Sequence, residues 1–220
     1  MSDLVLYSYF RSSASYRVRI GLHQKQLPFE YKAVHLLNNG GEQNSGSYKT
    51  LNPAGEVPSL VHGNHTLSQS MAILLYVDEV FPKISLFPKD PFQKAKVIQF
   101  CEGINCTQPY QNLRTLQLLE KDFAFDEGKK DKWLQFWLGR NLEASEKILQ
   151  STAGRFSFGN EVTAADAFLI PQLFACKRMN VDTGKFPTIM KIQENCIGLE
   201  AFQKAHPFHQ PDTPEEMKPR

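Results

Sequence analysis

A short polar run, Arg11-Ser12-Ser13, separates an apolar stretch from a helical pattern in this chain. A helix start carries unpaired N–H groups and the positive end of the helix dipole, so it favours an anion. Serine is also an ordinary N-cap, and capping alone accounts equally well for Ser12. Arg11 is not needed for a cap. The dipole opposes a cation just before a helix, so its placement suggests an anionic partner in the same pocket. Gln69-Ser70 repeats the choice further on: amide, hydroxyl and first-turn N–H groups could together receive a carboxylate, or simply open a helix. Val57-Pro58 stands at a strand start. In the cis form it would let Val57 offer its N–H and C=O to an extended peptide, although trans is the default for such a bond. Thr163-Ala164-Ala165-Asp166 reads as a capping box with aspartate in place of Glu or Gln, a structural device that fixes the start of a buried helix.

Other chemistries have less support. The four cysteines, Cys101, Cys106, Cys176 and Cys196, form no C-x-x-C pair and suit neither a redox dithiol nor a zinc site. They read as reduced, mostly buried thiols of a cytosolic protein. The histidines lack ligand spacing; His62 and His65 flank a Gly63-Asn64 turn and read as a hairpin end, so no metal is expected. The 25 Lys and Arg against 23 Asp and Glu leave a formal charge of +2, which argues against a nucleic-acid partner. No apolar run approaches the roughly 20 residues that span a bilayer. Met1-Ser2-Asp3-Leu4 is acidic and soon enters a strand-like run, unlike a signal peptide.

These residues must be positioned by the elements around them. Leu4 to Tyr7 is a short apolar run expected to form a buried strand, followed by a helical stripe of Tyr16, Ile20 and His23. Phe29, Tyr31 and Ala33 alternate with polar neighbours as a second strand. Asn38 to Ser47 is loop-like. Pro58 to Val61 and His65 to Leu67 read as a hairpin, and Ser68 is placed to cap a helix carrying Met71, Ile73, Leu74 and Val77. The order is βαβ then ββα, with the first pair of strands parallel and the last pair a hairpin. Prolines punctuate residues 83–90 as a linker. Beyond it only helical periodicity is found, over about 91–120, 131–150, 164–179, 187–196 and 199–205, with an irregular tail from His206 to Pro214. At 220 residues and 41% hydrophobic, the chain can hold a small α/β domain over 1–82 and an all-helical one over 91–220.

Taken together, these features resemble the zeta class of cytosolic glutathione transferases. Ser12-Ser13-Ala14-Ser15-Tyr16-Arg17-Val18-Arg19-Ile20 is similar to the class signature S-S-C-x-W-R-V-R-I. Leu51-Asn52-Pro53, Val57-Pro58, Gln69-Ser70, Gln108-Pro109, Leu149 to Gly154 and Gln210 to Pro214 also resemble zeta-class segments. The resemblance implies a thioredoxin-like domain with a mixed sheet followed by a helical domain, glutathione as cofactor, and a homodimer. It implies that Ser12 hydrogen-bonds the glutathione sulfur with Ser13 beside it. Val57 would pair with the cysteinyl backbone, with Pro58 cis. Gln69 and Ser70 would hold the γ-glutamyl end, and Gln108 would reach the site from the helical domain. Arg11, Arg178 and, after the maleylpyruvate-type relatives, Arg114 match positions facing the substrate carboxylates. Two residues depart from the signature. Tyr16 replaces an aromatic by an aromatic, whereas Ala14 removes a thiol that some of the class's chemistry could use.

The class is known for maleylacetoacetate isomerase, of tyrosine and phenylalanine breakdown, so the implied activity is glutathione-dependent cis–trans isomerisation of a small dicarboxylate. Maleylpyruvate isomerisation and transfer to α-halo acids use the same thiolate. A reading of another class is a binding protein that kept the fold and lost the chemistry. Retention of Ser12, Gln69 and Ser70 speaks against it.

Overall fold

The computed structural model describes residues 3–219; Met1, Ser2 and Arg220, the outer ends of the two expected domains and of the N-terminal reading, lie outside them. Two compact units are present: the residues up to Leu86 together with the segment from Ile197 onward, and Phe87–Cys196.

In the first unit β1 (Leu4–Ser8) leads into α1 (Ser13–Gln24) and β2 (Glu30–Ala33). Next come α2 (Gly46–Leu51), β3 (Ser59–His62), β4 (His65–Ser68) and α3 (Ser70–Val80). The sheet order is β2-β1-β3-β4. β1 and β2 are parallel, in register Val5 to Glu30, because α1 supplies the crossover. β3 runs antiparallel to β1 and forms a hairpin with β4. The thioredoxin-like α/β reading therefore holds. Leu4, Leu6 and Leu60 of the sheet pack against Val18 and Leu22 of α1 and Ile73 and Val77 of α3. α1 and α3 approach closely at Gly21, where a Cβ would lie 2.2 Å from Leu74 Cδ2. The buried Lys25 ammonium bonds Asp78 at 2.8 Å, and Asp78 also accepts from the Leu86 N–H at 2.7 Å. That pair ties α1 and α3 to the chain leaving the unit.

Two local expectations change. The Asn38–Ser47 stretch holds short 3-10 turns at Asn38–Gly40 and Glu42–Asn44, then Ser45 caps α2 by accepting from the Tyr48 N–H. Ser68 does not cap α3: it is paired with Ser59 in the ladder. The turn into the helix is made one residue later, by Gln69 at φ 70° with no side-chain cap bond.

The second unit is helical. Its helices are α4 (Pro91–Asn105), α5 (Gln108–Gln111), α6 (Leu113–Asp122), α7 (Glu127–Thr152) and α8 (Ala164–Arg178), and α9 (Pro187–Ile197) runs one residue past its end. The periodicity over 91–120 is broken twice. Pro109 cannot continue the α4 ladder, and Asn112 starts α6 as its N-cap. α8 is buried along most of its length and opens with the expected capping box. Asp166 is fully buried; it accepts from the Thr163 N–H at 2.8 Å and from the Ser157 N–H at 2.8 Å. One carboxylate thus caps the helix and anchors the preceding loop.

The remaining segment carries α10 (Glu200–Ala205), then an irregular run with a 3-10 turn at Pro207–His209, and packs in the first unit. α10 lies against α1.

Asp166→Ala leaves two buried N–H groups without acceptors. At about 1–3 kcal/mol per orphaned donor, it should lower the unfolding free energy by roughly 3 kcal/mol, and Asp166→Asn by less. Urea denaturation measures this, and a loss below about 1 kcal/mol would contradict the assignment. Burial, aided by Lys204 and Arg19 and opposed by Glu200, lowers the His23 pKa to about 4. The unfolded chain therefore takes up that proton first, and stability contributed by neutral His23 is lost as pH falls from about 6.5 towards 4. Unfolding midpoints measured across this window should fall less steeply in His23→Gln than in the wild type.

Candidate active site

β1 ends at Ser8, and the chain turns through Tyr9, Phe10 and Arg11 into α1. Ser12 is the N-cap, with φ −70° and ψ 121°. Its N–H donates to the Tyr9 carbonyl at 3.0 Å, and its Oγ accepts from the Ser15 N–H at 3.2 Å. A hydroxyl that accepts from a helix N–H still has its own proton to donate. The first turn of α1 holds no acidic residue. Ser13 is its first residue and Ala14, at the signature cysteine position, is half-buried. Capping and anion binding, alternatives on sequence grounds, are thus compatible in one side chain. The half-buried Arg11 has its guanidinium carbon 6.0 Å from the centroid of the Phe10 ring.

The turn is held by residues that sequence patterning did not single out. Arg19 is fully buried. It donates to the carbonyls of Phe10 (3.0 Å), Tyr9 (3.3 Å) and Ala205 (3.0 Å) and to Ser8 Oγ (3.1 Å). Burial lowers its pKa to about 10, and it remains a cation at neutrality. On the other side of the backbone, Asp212 accepts from the Phe10 N–H at 2.9 Å and from the Tyr31 hydroxyl at 2.6 Å. The sequence signal for Arg19 was a charged residue inside an apolar helical stripe. Asp212 had none beyond the family resemblance.

Val57 packs in one cluster with Tyr9, Phe10, Val34 and Tyr48. The Val57-Pro58 bond is cis, as the resemblance implied and against the default of trans for such a bond. Among the described residues, neither the N–H nor the C=O of Val57 has a partner. The approach to this bond is fixed by Tyr48 Oη and Asn52 Nδ2, which donate to the Glu56 carbonyl at 2.7 and 2.8 Å. Gln69 and Ser70 stand at the start of α3. Gln69 is exposed and left-handed, a conformation that costs a non-glycine residue about 1–3 kcal/mol and is found mostly at functional sites. Ser70 is buried, and its Oγ accepts from Nη1 of the fully buried Arg17 at 3.3 Å. Like α1, α3 has no acidic residue in its first turn. The first unit therefore brings together two helix N-termini, two hydroxyl groups, an unengaged peptide unit and a buried cation, and these can bind an extended peptide carrying an anion at each end.

The other predicted residues belong to the helical unit. Gln108 opens α5 and is half-buried; its Oε1 accepts from Gln111, which bonds Gln172 of α8 at 2.8 Å. Arg114 lies in the first turn of α6 and Arg178 ends α8, and both are exposed. Of the cysteines, Cys101, Cys176 and Cys196 are buried; burial raises the Cys176 pKa to about 11 and moves Cys196 upward too.

The family described as Glutathione S-transferase, N-terminal domain, matches residues 2–79. Maleylacetoacetate isomerase of Rattus norvegicus is 42% identical over 216 residues, covering 97% of each chain. A solved bacterial maleyl pyruvate isomerase, a zeta-class glutathione S-transferase, superposes with a TM-score of 0.91 at 36% identity, over 96% of this chain and 100% of its own. A maleylacetoacetate isomerase of Anaeromyxobacter dehalogenans, solved with glutathione in its active site, superposes with a TM-score of 0.85 at 42% identity, over 96% and 98%. With relatives of this identity spanning nearly its whole length, the chain belongs to the zeta class of glutathione transferases, the family of the maleylacetoacetate isomerases.

Proposed function

We propose that the chain is a glutathione-dependent isomerase that converts maleylacetoacetate to fumarylacetoacetate. The observation that carries this reading is the Ser12 hydroxyl, which is oriented by the Ser15 N–H and keeps its proton for an anion at the start of α1. The donor set fits glutathione, because the unpartnered N–H and C=O of Val57 suit a peptide backbone and the α3 start with Gln69 and Ser70 suits a carboxylate. Bound glutathione would supply a thiolate that adds reversibly to the cis alkene, allows rotation about the resulting single bond, and leaves unchanged as the trans alkene forms.

The protein's task is to stabilise that sulfur as an anion. An ordinary thiol titrates near pH 8.5, and lowering this by about two units takes roughly 2.7 kcal/mol. A helix start contributes roughly 0.3–2 kcal/mol. A hydroxyl donating to an anion adds roughly 1.5–3 kcal/mol. Ser12 at the head of α1 is sufficient in magnitude, with Ser13 beside it. The second task is to bind a dianion. Arg11, Arg178 and Arg114 are assigned to the substrate carboxylates, since guanidinium forks match carboxylates and a nearby cation favours an enolate oxygen. Gln108 is assigned to glutathione from the helical side. In this reading residues 1–82 bind glutathione and the helical part of 91–220 binds substrate. Ala14 leaves the isomerisation intact, because the attacking sulfur is not the protein's own.

Maleylpyruvate is the second substrate reading, favoured by the solved isomerase of that compound and by Arg114. The family pattern supports a cytoplasmic homodimer in tyrosine and phenylalanine breakdown. Among the described residues, no helix is long and apolar enough to cross a membrane. Spectrophotometric isomerisation of both maleyl compounds, with and without glutathione, tests the proposal; no glutathione-dependent conversion of either would refute it.

Ser12→Ala should lower turnover roughly 10- to 150-fold, the equivalent of one hydrogen bond to an anion, and cost about 1 kcal/mol of stability through the lost cap. Near-wild-type turnover in steady-state assays would remove Ser12 from the chemistry. Arg178→Ala should raise the apparent substrate KM about tenfold or more and leave glutathione affinity unchanged by calorimetry. An unaltered KM would show its assignment to be wrong.

A further inference from the structure

The proposed function leaves one conspicuous segment unused: Gln210-Pro211-Asp212-Thr213-Pro214, at the far end of the chain from Ser12. This segment is built, not draped. Gln210 Nε2 donates to the carbonyls of Lys204 and His206, both at 2.8 Å. The buried Thr213 donates its hydroxyl to the Pro207 carbonyl at 2.6 Å, and its N–H bonds the Gln210 carbonyl at 3.1 Å. The loop is therefore closed on itself before it touches anything else. What it presents is Asp212, whose two oxygens accept from the Phe10 N–H and the Tyr31 hydroxyl.

The placement of this carboxylate needs a reason. An acid near an anion-binding turn is electrostatically unfavourable for a thiolate. Arg19 offsets part of this: it interacts with Asp212 through their charges, and it donates to the carbonyls on either side of the Phe10 amide group, those of Tyr9 and Phe10. Phe10 is thus gripped at both its N–H and its C=O, two residues before Ser12. The two groups that face Asp212 are the Tyr31 hydroxyl and the Arg19 guanidinium. Neither is a hydrogen-bond partner of the Ser12 side chain, which accepts from the Ser15 N–H.

We infer that Asp212 is a positioning residue of the isomerase: through the Phe10 N–H it sets the turn that aims the Ser12 hydroxyl at the glutathione sulfur. The C-terminal loop is then part of the active-site frame although it contributes no group to the reaction. This rests on the reading of Ser12 as the donor to that sulfur. Small displacements of a reacting group cost about a hundredfold in rate, so a shifted turn is expected to show in turnover.

The test titrates the ultraviolet thiolate absorbance of glutathione bound to the full-length enzyme, alongside kcat and KM. Asp212→Asn keeps an oxygen acceptor for Phe10 and an amide for Tyr31. It should leave the thiol pKa and kcat close to wild type, within about threefold. Asp212→Glu keeps the charge but carries the acceptor one methylene further out. It should raise the thiol pKa by about one unit and lower kcat about tenfold near neutral pH, with the KM for maleylacetoacetate unchanged. Asp212→Ala should resemble Asp212→Glu. The inference is overturned if Glu and Ala variants lose only unfolding midpoint and keep the wild-type thiol pKa. It is equally overturned if Asn is as impaired as Glu, because charge and not position would then matter. A wild-type complex whose sulfur stays protonated sinks the Ser12 reading itself, an outcome distinct from either.

Discussion

The buried guanidinium of Arg19 is the fixed point of the active-site turn. Where β1 leaves the sheet, the carbonyls of Tyr9 and Phe10 run into the interior without a strand to pair with, and Arg19 receives both together with the Ala205 carbonyl and Ser8 Oγ. Burying a cation is costly unless its donors are satisfied, and burial lowers this one's pKa to about 10. Here its donors are satisfied by three carbonyls and a hydroxyl, and the Tyr9 carbonyl, which also accepts from the Ser12 N–H, links the guanidinium to the Ser12 turn. Charge and backbone solve each other's problem, and the geometry of the Ser12 turn follows from the solution.

Around that turn the first unit uses one device twice. α1 and α3 both begin without an acid in their first turn, and each places a serine there, Ser12 as cap and Ser70 as first helical residue. Their differences are instructive. Ser12 satisfies a helix N–H and keeps a proton, which suits a sulfur anion. Ser70 accepts a hydrogen bond from the buried Arg17, whose charge biases its surroundings towards a carboxylate. In the same unit the N–H and C=O of Val57 have no partner among the described residues. Gln69, which alone makes the turn between the last paired residue of β4, Ser68, and the start of α3, is left-handed and is the local strain the arrangement carries.

Much of this was legible beforehand, because periodicity and turn chemistry act locally. The βαβ-ββα order, the capping box at Thr163 and the helical second half follow from residue spacing alone. The short helices were not legible: Pro109 and Asn112 break a continuous apolar pattern, and only the hydrogen-bond ladder shows where. Ser68 was misread because a serine before a helix looks like a cap whether or not its backbone is still paired in a sheet. The cis state of Val57-Pro58 is invisible to propensity, which sets trans as the default. Arg19 and Asp212 were hidden for another reason. Arg19 reaches Ala205, 186 residues away, and Asp212 reaches Phe10, 202 residues away, and neither contact belongs to a local pattern.

That separation bears on how the protein is made. The first compact unit is assembled from the beginning of the chain and from its final segment, Ile197 onward. On a ribosome the acceptor for the Phe10 amide emerges 202 residues after that amide, and the Ala205 carbonyl 186 residues after Arg19. Until those residues are made, a buried-to-be cation and an open amide must stay hydrated, and the turn ahead of α1 lacks its final hydrogen bonds.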